Sequence, residues 1–162
     1  SLNIKLVNIS SDKVVESESI MGATKKISEI IVKNMGGVSV RFGNVLGSRG
    51  SVIPIWQKQI DENRPLTVTN ADMKRYFMTI EEACELIIKA GEEAKQGDIY
   101  ILDMGDPVNI LSLAKQILKK SGKDLEIKMI GSRPGEKISE KLMTDTEQKV
   151  AIKEGKYYIL RQ

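Results

Sequence analysis

The sequence predicts an α/β fold built on parallel strands, and two observations carry that expectation. Ile4 to Ser10 is a β-rich, nearly continuous apolar run, as expected of a parallel strand covered by helices on both faces. Ala23, Ile27, Ile30 and Ile31 then recur at helical spacing between Met21 and Asn34, and Gly36-Gly37 ends the pattern. Val38 to Phe42 supplies the next strand, so the three segments form a β-α-β unit closed by Gly43-Asn44.

Later elements are shorter. Ser51 to Ile60 predicts a helix with Ser51 near its cap and Pro54 in the first turn, where a missing N–H is tolerated. Leu66 to Thr69 and Tyr76 to Met78 read as short strands. Thr79 and Glu82 make a capping box ahead of Ala83, Leu86, Ile87 and Ala90. Ile99 to Asp103 alternates into a turn at Gly105-Asp106-Pro107. Asn109 caps a helix bearing Ile110, Leu113, Ala114, Ile117 and Leu118 that ends near Gly122. A strand is predicted over Leu125 to Ile130, a loop over Gly131 to Gly135 and a short helix over Glu136 to Leu142. After Leu142 little regular structure is expected apart from Tyr157 to Leu160.

A chain of 162 residues, 41% hydrophobic and 29% charged, suits one cooperative soluble core, and 4% aromatics leave that core to Ile, Val, Leu and Met. The formal charge of +3 is small and its lysines alternate with acids, which argues against a nucleic-acid tract. A phosphate-bearing small molecule suits a few focused cations better. No apolar run approaches the roughly 18 residues of a membrane span, and no basic-plus-apolar signal opens the chain, so no membrane contact is expected from this segment. Cys84 is the single cysteine, which excludes an internal disulfide; between Ala83 and Ile87 it is expected to be a buried structural thiol. The absence of histidine argues against a zinc site and removes every His-dependent triad, leaving Asp, Glu, Lys and Tyr as candidate acids and bases. Asn8-Ile9-Ser10 fits the glycosylation pattern, but its place in a predicted buried strand discounts it.

Ser11-Asp12-Lys13 stands at the C-terminal end of the first predicted strand, where open α/β sheets hold ligands. An alcohol, a carboxylate and an ammonium in succession offer a hydrogen-bond donor, an acid and a base. The plainer reading makes Ser11-Asp12 a turn cap and sends Lys13 to water. Lys25 lies one helical turn after Met21, on the same face, and is either a functional cation or an ordinary exposed lysine.

Taken together, five segments change that balance: Ile9 to Lys13, Met21-Gly22-Ala23-Thr24-Lys25, Val40 to Pro54, Arg75 to Thr79, and Arg133-Pro134-Gly135-Glu136-Lys137. As a set, in this order, they resemble the extended short-chain dehydrogenase/reductase superfamily, in particular the polysaccharide-biosynthesis nucleotide-sugar 4,6-dehydratases acting on UDP-N-acetylglucosamine. The resemblance implies part of a Rossmann-type parallel sheet with a small mixed α/β substrate-binding region, and NAD or NADP retained through the cycle. It also implies oxidation at C4, elimination of water across C5 and C6, and hydride return to C6. By position, Asp12 resembles the acid that protonates the departing hydroxyl and Lys13 the base at C5, while Ser11 offers a hydroxyl to the C4 oxygen. Lys25 resembles the lysine that holds the nicotinamide ribose. Met21 occupies the place of the superfamily's tyrosine, which leaves Lys25, Lys13 or water to take the C4 hydroxyl proton.

For the UDP-sugar, the resemblance points to Asn44, Arg75, Arg133 and Glu136. A guanidinium fork suits diphosphate, and a carboxylate can accept from vicinal ribose hydroxyls. Surface ion pairs for the arginines and a helix-start role for Glu136 are the alternatives; Arg49 is a weaker candidate. A homo-oligomer is implied, paired through the helix over Met21 to Asn34. The expected setting is cytoplasmic, free or as the cytoplasmic part of a membrane-attached parent.

No Gly-x-x-Gly-x-x-Gly turn occurs in the required β-α-β context, so the chain alone is expected to bind NAD(P) poorly, if at all, and to be inactive by itself. Ser1-Leu2 reads as a cloning remnant, and residues upstream of a strand rich enough to be central are expected to be missing. The whole of 1–162 is expected to be one truncated unit: 1–50 a partial Rossmann core with the active-site strand and helix, and 51–162 mostly substrate-binding, with returning Rossmann elements. Two other functions fit the same residues. One is a nucleotide-sugar 4-epimerase, against which Asp12-Lys13 argues; the other is a nucleotide-sugar-binding domain without redox chemistry, which Met21 favours.

Overall fold

The computed structural model describes residues 5–161; Ile4 of the first predicted strand and Ser1-Leu2 lie outside the described residues. β1 (Val7–Ser11) and β2 (Val38–Phe42) run parallel, with Val7 opposite Val38 and Ser11 opposite Phe42, and are joined by α1 (Ile20–Asn34). This is the predicted β-α-β unit. Successive β2 side chains alternate between faces. Val38 and Val40 pack in the core cluster that holds Ala83, Leu86 and Ala90, whereas Arg41 turns to the α1 face, where it meets Glu29.

α1 itself is rotated away from the expectation. Ala23 is exposed, and Ile27, Ile30 and Ile31 are 55%, 51% and 53% exposed, while Gly22 and Glu29 are the buried positions. Two contacts set this rotation. A Cβ on Gly22 would overlap the Lys13 carbonyl oxygen and Ser17 Oγ, so the helix approaches the turn after β1 closely only through glycine. Seven residues on, Glu29 accepts from Arg41 Nε at 2.9 Å and Nη2 at 3.0 Å. The helix thus shows the sheet a polar stripe and turns its isoleucines outward. β1 is less covered than predicted: Ile9 is 46% exposed, and its outer edge is unpaired among the described residues.

After the short β3 (Asn44–Val45), α2 (Val52–Asp61) leads to β4 (Leu66–Val68), and β5 (Lys74–Arg75) and β6 (Phe77–Met78) follow. β3 pairs with β6. Ser51 stands at the α2 N-cap but makes no side-chain cap bond. α3 (Ile80–Glu93) starts with the predicted Thr79/Glu82 capping box. β7 (Ile99–Leu102) lies parallel to β2 with all four residues buried, so the expected alternation is absent because it occupies the middle of the sheet. β8 (Val108–Asn109) pairs with β5, and α4 (Ile110–Ser121), capped by Asn109, ends at left-handed Gly122. β9 (Ile127–Met129) pairs with β4. Trp56, Ile60, Leu66, Val68, Met73, Ile110 and Ala114 form a second apolar core here, in which Trp56 Nε1 donates to Thr67 O at 2.8 Å.

Three further expectations fail. No helix spans Glu136 to Leu142; the segment is irregular apart from the bridge of Ser139 to Lys74, and Lys74 N–H donates to Ile138 O at 2.8 Å, a bond incompatible with a helix there. The stretch after Leu142 is structured: α5 (Asp145–Val150) has a Thr144/Glu147 capping box, and β10 (Ile152–Glu154) and β11 (Tyr157–Leu160) complete a five-stranded sheet in the order β1-β2-β7-β11-β10, with β11 antiparallel to β7. Cys84 is exposed, since it lies a 100° step beyond the buried Ala83, Leu86 and Ala90 stripe. Among the described residues no helix is long and apolar enough to cross a membrane.

Arg41, fully buried, ties these parts together. Besides Glu29 it donates to Glu147 at 2.8 and 2.9 Å and to Leu142 O at 3.3 Å, while Lys26 reaches Glu29 at 3.2 Å. Burial alone would raise the pKa of both carboxyls, but the Arg41 bonds outweigh it and leave Glu29 and Glu147 below their ordinary 4.5. Depressed carboxyls stabilise the fold above the unfolded value and stop doing so as pH falls through the folded values. Urea denaturation is therefore expected to show stability declining as pH drops below about 4.5. Arg41→Met is expected to cost about 3–5 kcal/mol at neutral pH and to abolish the part of that acid-side decline due to these two carboxyls. Gly22→Ala is expected to destabilise by about 1–3 kcal/mol in the same assay, through overpacking against the Lys13 turn.

Candidate active site

β1 ends where the chain must turn to enter α1, and Asp12–Val14 makes a single 3₁₀ turn there. Ser11 accepts from Lys13 N at 3.2 Å, so the cap geometry of the plainer reading is present. The same turn also gathers the candidate chemistry. Asp12 is fully buried, and its Oδ1 accepts from Ser11 Oγ at 2.9 Å and from Lys13 Nζ at 2.8 Å. Asp12 Oδ2 is buried without a partner. Lys13 does not simply point to water: its side chain is 31% exposed and lines a cavity of about 640 Å³.

That cavity lies within the usual size of a small-molecule site. Met21, half exposed, lines it beside Lys13. Lys25, one turn on, donates from Nζ to Ile9 O at 3.0 Å, which fixes its ammonium over β1 and leaves further N–H groups for an acceptor such as a ribose hydroxyl. The glycine-rich diphosphate cradle is not in this chain's sequence.

Asn44 stands at the start of β3, with its backbone N–H donated to Tyr76 O at 2.8 Å, and lines the same cavity. Arg75 is buried; its Nη1 donates to Lys74 O at 2.7 Å and Ile138 O at 3.2 Å, and its Nη2 lies 3.5 Å from Glu136 Oε1. Glu136 Oε2 accepts from Arg133 N at 3.1 Å. The Arg133 and Arg49 guanidinium groups, both on the cavity wall, are exposed and make no hydrogen bond or ion pair among the described residues. Asn44, Arg75, Arg133 and Glu136 therefore share one wall system with Lys13 and Met21.

The loop carrying Arg133 and Glu136 is strapped to the β1 turn. Lys137 donates to Val15 O at 2.7 Å and to Glu16 O, and Lys141 donates to Glu16 Oε1 at 2.8 Å. Sequence reasoning missed one residue of this strap: Glu140, 6% exposed, on the cavity wall. The helix expected over Glu136 to Leu142 hid it, and only the bridge to Lys74 turns it inward. Burial, and then the Asp12 charge, push its carboxyl pKa upward, against the pull of Lys13, Arg75 and Lys137. The Tyr76 phenol is likewise raised by burial, then by Asp106 and Asp12, so it does not supply the easily ionised phenol that Met21 lacks.

Comparison with known proteins places this geometry in a family. The family described as Polysaccharide biosynthesis protein matches residues 3–162. The chain is 53% identical over 150 residues to the probable polysaccharide biosynthesis protein EpsC of Bacillus subtilis, covering 87% of the chain and 25% of that protein. It is 48% identical over 153 residues to the capsular polysaccharide biosynthesis protein CapD of Staphylococcus aureus, covering 88% and 26%. A UDP-glucose 4-epimerase of Rickettsia felis is 34% identical, covering 95% and 48%. The chain thus spans about a quarter of the length of the first two relatives. Among solved structures, Pen from Bacillus thuringiensis superposes with a TM-score of 0.92 at 36% identity, covering 96% of this chain and 52% of that one. The dTDP-glucose 4,6-dehydratase DesIV from Streptomyces venezuelae, solved with NAD and TYD bound, gives 0.77 at 17% identity over 90% and 53%, a likeness of fold. The fold is α/β of the Rossmann type, and the chain belongs to the polysaccharide biosynthesis protein family.

Proposed function

We propose that this chain forms the catalytic and substrate-binding part of a nucleotide-sugar 4,6-dehydratase acting on UDP-N-acetylglucosamine. The observation that carries the reading is that Lys13, bonded to the buried Asp12 behind it, lines a cavity that also holds Arg49, Arg75 and Arg133. An anion-binding side and an acid–base pair in one cleft suit a substrate with a diphosphate at one end and a reacting sugar at the other.

A nicotinamide dinucleotide, when bound, would accept and return the hydride; Lys25 is the residue here that would hold its ribose. Once C4 is a carbonyl, the C5 proton is acidic. The Asp12–Lys13 ion pair holds one proton in a 2.8 Å hydrogen bond, and moving that proton to Asp12 leaves a neutral amine beside a carboxylic acid. The amine takes the C5 proton, the C5–H electrons form the C5–C6 double bond, and the C6 hydroxyl leaves as water with the Asp12 proton. The pair returns to its ionic form, so the elimination needs no proton from outside. Ser11 Oγ, bonded to Asp12, keeps that carboxyl oriented.

On this reading the arginines and Asn44 bind the UDP portion, 1–50 carries the chemistry, and 51–162 mostly the substrate contacts. The outward isoleucines of α1 support a homo-oligomer paired through that helix. The Rickettsia felis relative favours a second reading, 4-epimerisation, which would use the same cleft without the C6 acid.

In the natural full-length polypeptide, Asp12→Asn and Lys13→Ala are each expected to lower formation of the 4-keto-6-deoxy product from UDP-N-acetylglucosamine by about 10²–10⁴-fold, with UDP binding unchanged. Arg133→Ala is expected to weaken UDP binding about tenfold. Equal, small effects from all three in turnover and calorimetry would overturn the assignment, and a C4 epimer as the product would select the second reading.

A further inference from the structure

We infer that Glu140 is a specificity-determining residue that hydrogen-bonds a sugar hydroxyl at the Lys13 end of the cleft. The inference rests on the nucleotide-sugar reading and deepens it, because it concerns the sugar and not the nucleotide.

Three observations point the same way. Glu140 is 94% buried by its 6% exposure, yet it lines the large cavity that also holds Lys13. Its Oε2 is buried with no hydrogen-bond partner among the described residues. Its backbone neighbours are tied down, Ser139 by the bridge to Lys74 and Lys141 by Glu16, so the residue is held in place by structure around it. An unpartnered buried carboxyl is unfavourable, and such groups are retained where a ligand completes them. The final torsion of a glutamate is soft, so the carboxyl can turn its oxygen toward the cavity.

The chemistry of the surroundings selects a hydroxyl over a charged ligand. The charged groups facing Glu140 are Asp12, Lys13, Arg75 and Lys137. Three cations and one anion stand around it, and Arg75 already engages Glu136 while Lys137 is committed to backbone oxygens. Burial and Asp12 hold the proton on Glu140 to higher pH than usual. In either protonation state a Glu140 carboxyl oxygen accepts a hydrogen bond, and a sugar hydroxyl supplies the donor. A carboxylate or phosphate on the ligand would instead meet Asp12 as a like charge.

Calorimetry on the full-length polypeptide, with UDP and UDP-N-acetylglucosamine as probes, tests the idea. Glu140→Ala is expected to weaken UDP-N-acetylglucosamine about tenfold and leave UDP within twofold, the loss of one hydrogen bond to the sugar. Glu140→Gln, whose amide oxygen keeps the acceptor, is expected to restore most of that affinity. Loss of both ligands in Glu140→Ala would mean a structural role and overturn the inference, as would unchanged binding of both. If the wild-type polypeptide binds UDP no better than it binds glucose, the nucleotide-sugar reading falls; tight UDP binding with an indifferent Glu140 sinks only the inference.

Discussion

Everything near the cleft depends on where Arg41 puts its positive charge. A guanidinium with no exposure must be met by carboxylates, and it draws Glu29 from α1 and Glu147 from α5 onto the same face of β2. With Lys26 on Glu29 the cluster carries two cations and two anions. Its hydrogen bonds outweigh burial and push the guanidinium pKa upward, so the charge is permanent at any pH where the protein folds. Because both partners are also helix residues, one ion cluster fixes the rotation of α1 and the docking of the segment around Leu142 to Glu147.

Those two placements build the two sides of the cleft. The rotation of α1 brings Gly22 against the Lys13 turn, and with it Met21 and Lys25 above the end of β1. Docking of Leu142, whose carbonyl Arg41 also binds, anchors the end of the strap that holds Glu136 and Glu140. Lys137 and Lys141 then close that strap onto Val15 and Glu16. The turn after β1 and the loop carrying Arg133 and Glu136 are far apart in sequence, and it is a buried electrostatic knot that sets their spacing.

Much of this was legible in the chain. β2 was read to the residue, and the Thr79 and Asn109 caps were read correctly, because capping is local chemistry between residues three apart. The gathering of Lys13, Asn44, Arg75, Arg133 and Glu136 around one cavity was anticipated from motifs, not from periodicity. Periodicity misled at α1, where the isoleucine stripe looks like a core face; the buried stripe is polar, and only the distant Arg41–Glu29 bond reveals it. It misled again at Glu136 to Leu142, where a backbone bond to Lys74, sixty-odd residues away in the chain, overrides local helix propensity. β11 was half seen, but its antiparallel insertion beside β7 is a matter of sheet order that a single strand's sequence does not encode.

The Arg75–Glu136 contact has a consequence for occupancy of the cleft. Before any guest arrives, that guanidinium is already answered by an internal carboxylate, so the wall is electrically quiet there while Arg133 and Arg49 remain open. On the proposed reading, an incoming diphosphate would meet the open pair first, and to reach the third it would have to displace an acid that stays tethered nearby. Entry would then be a swap of counterions inside the wall, with Glu136 released toward the ribose only once the phosphates had taken its place.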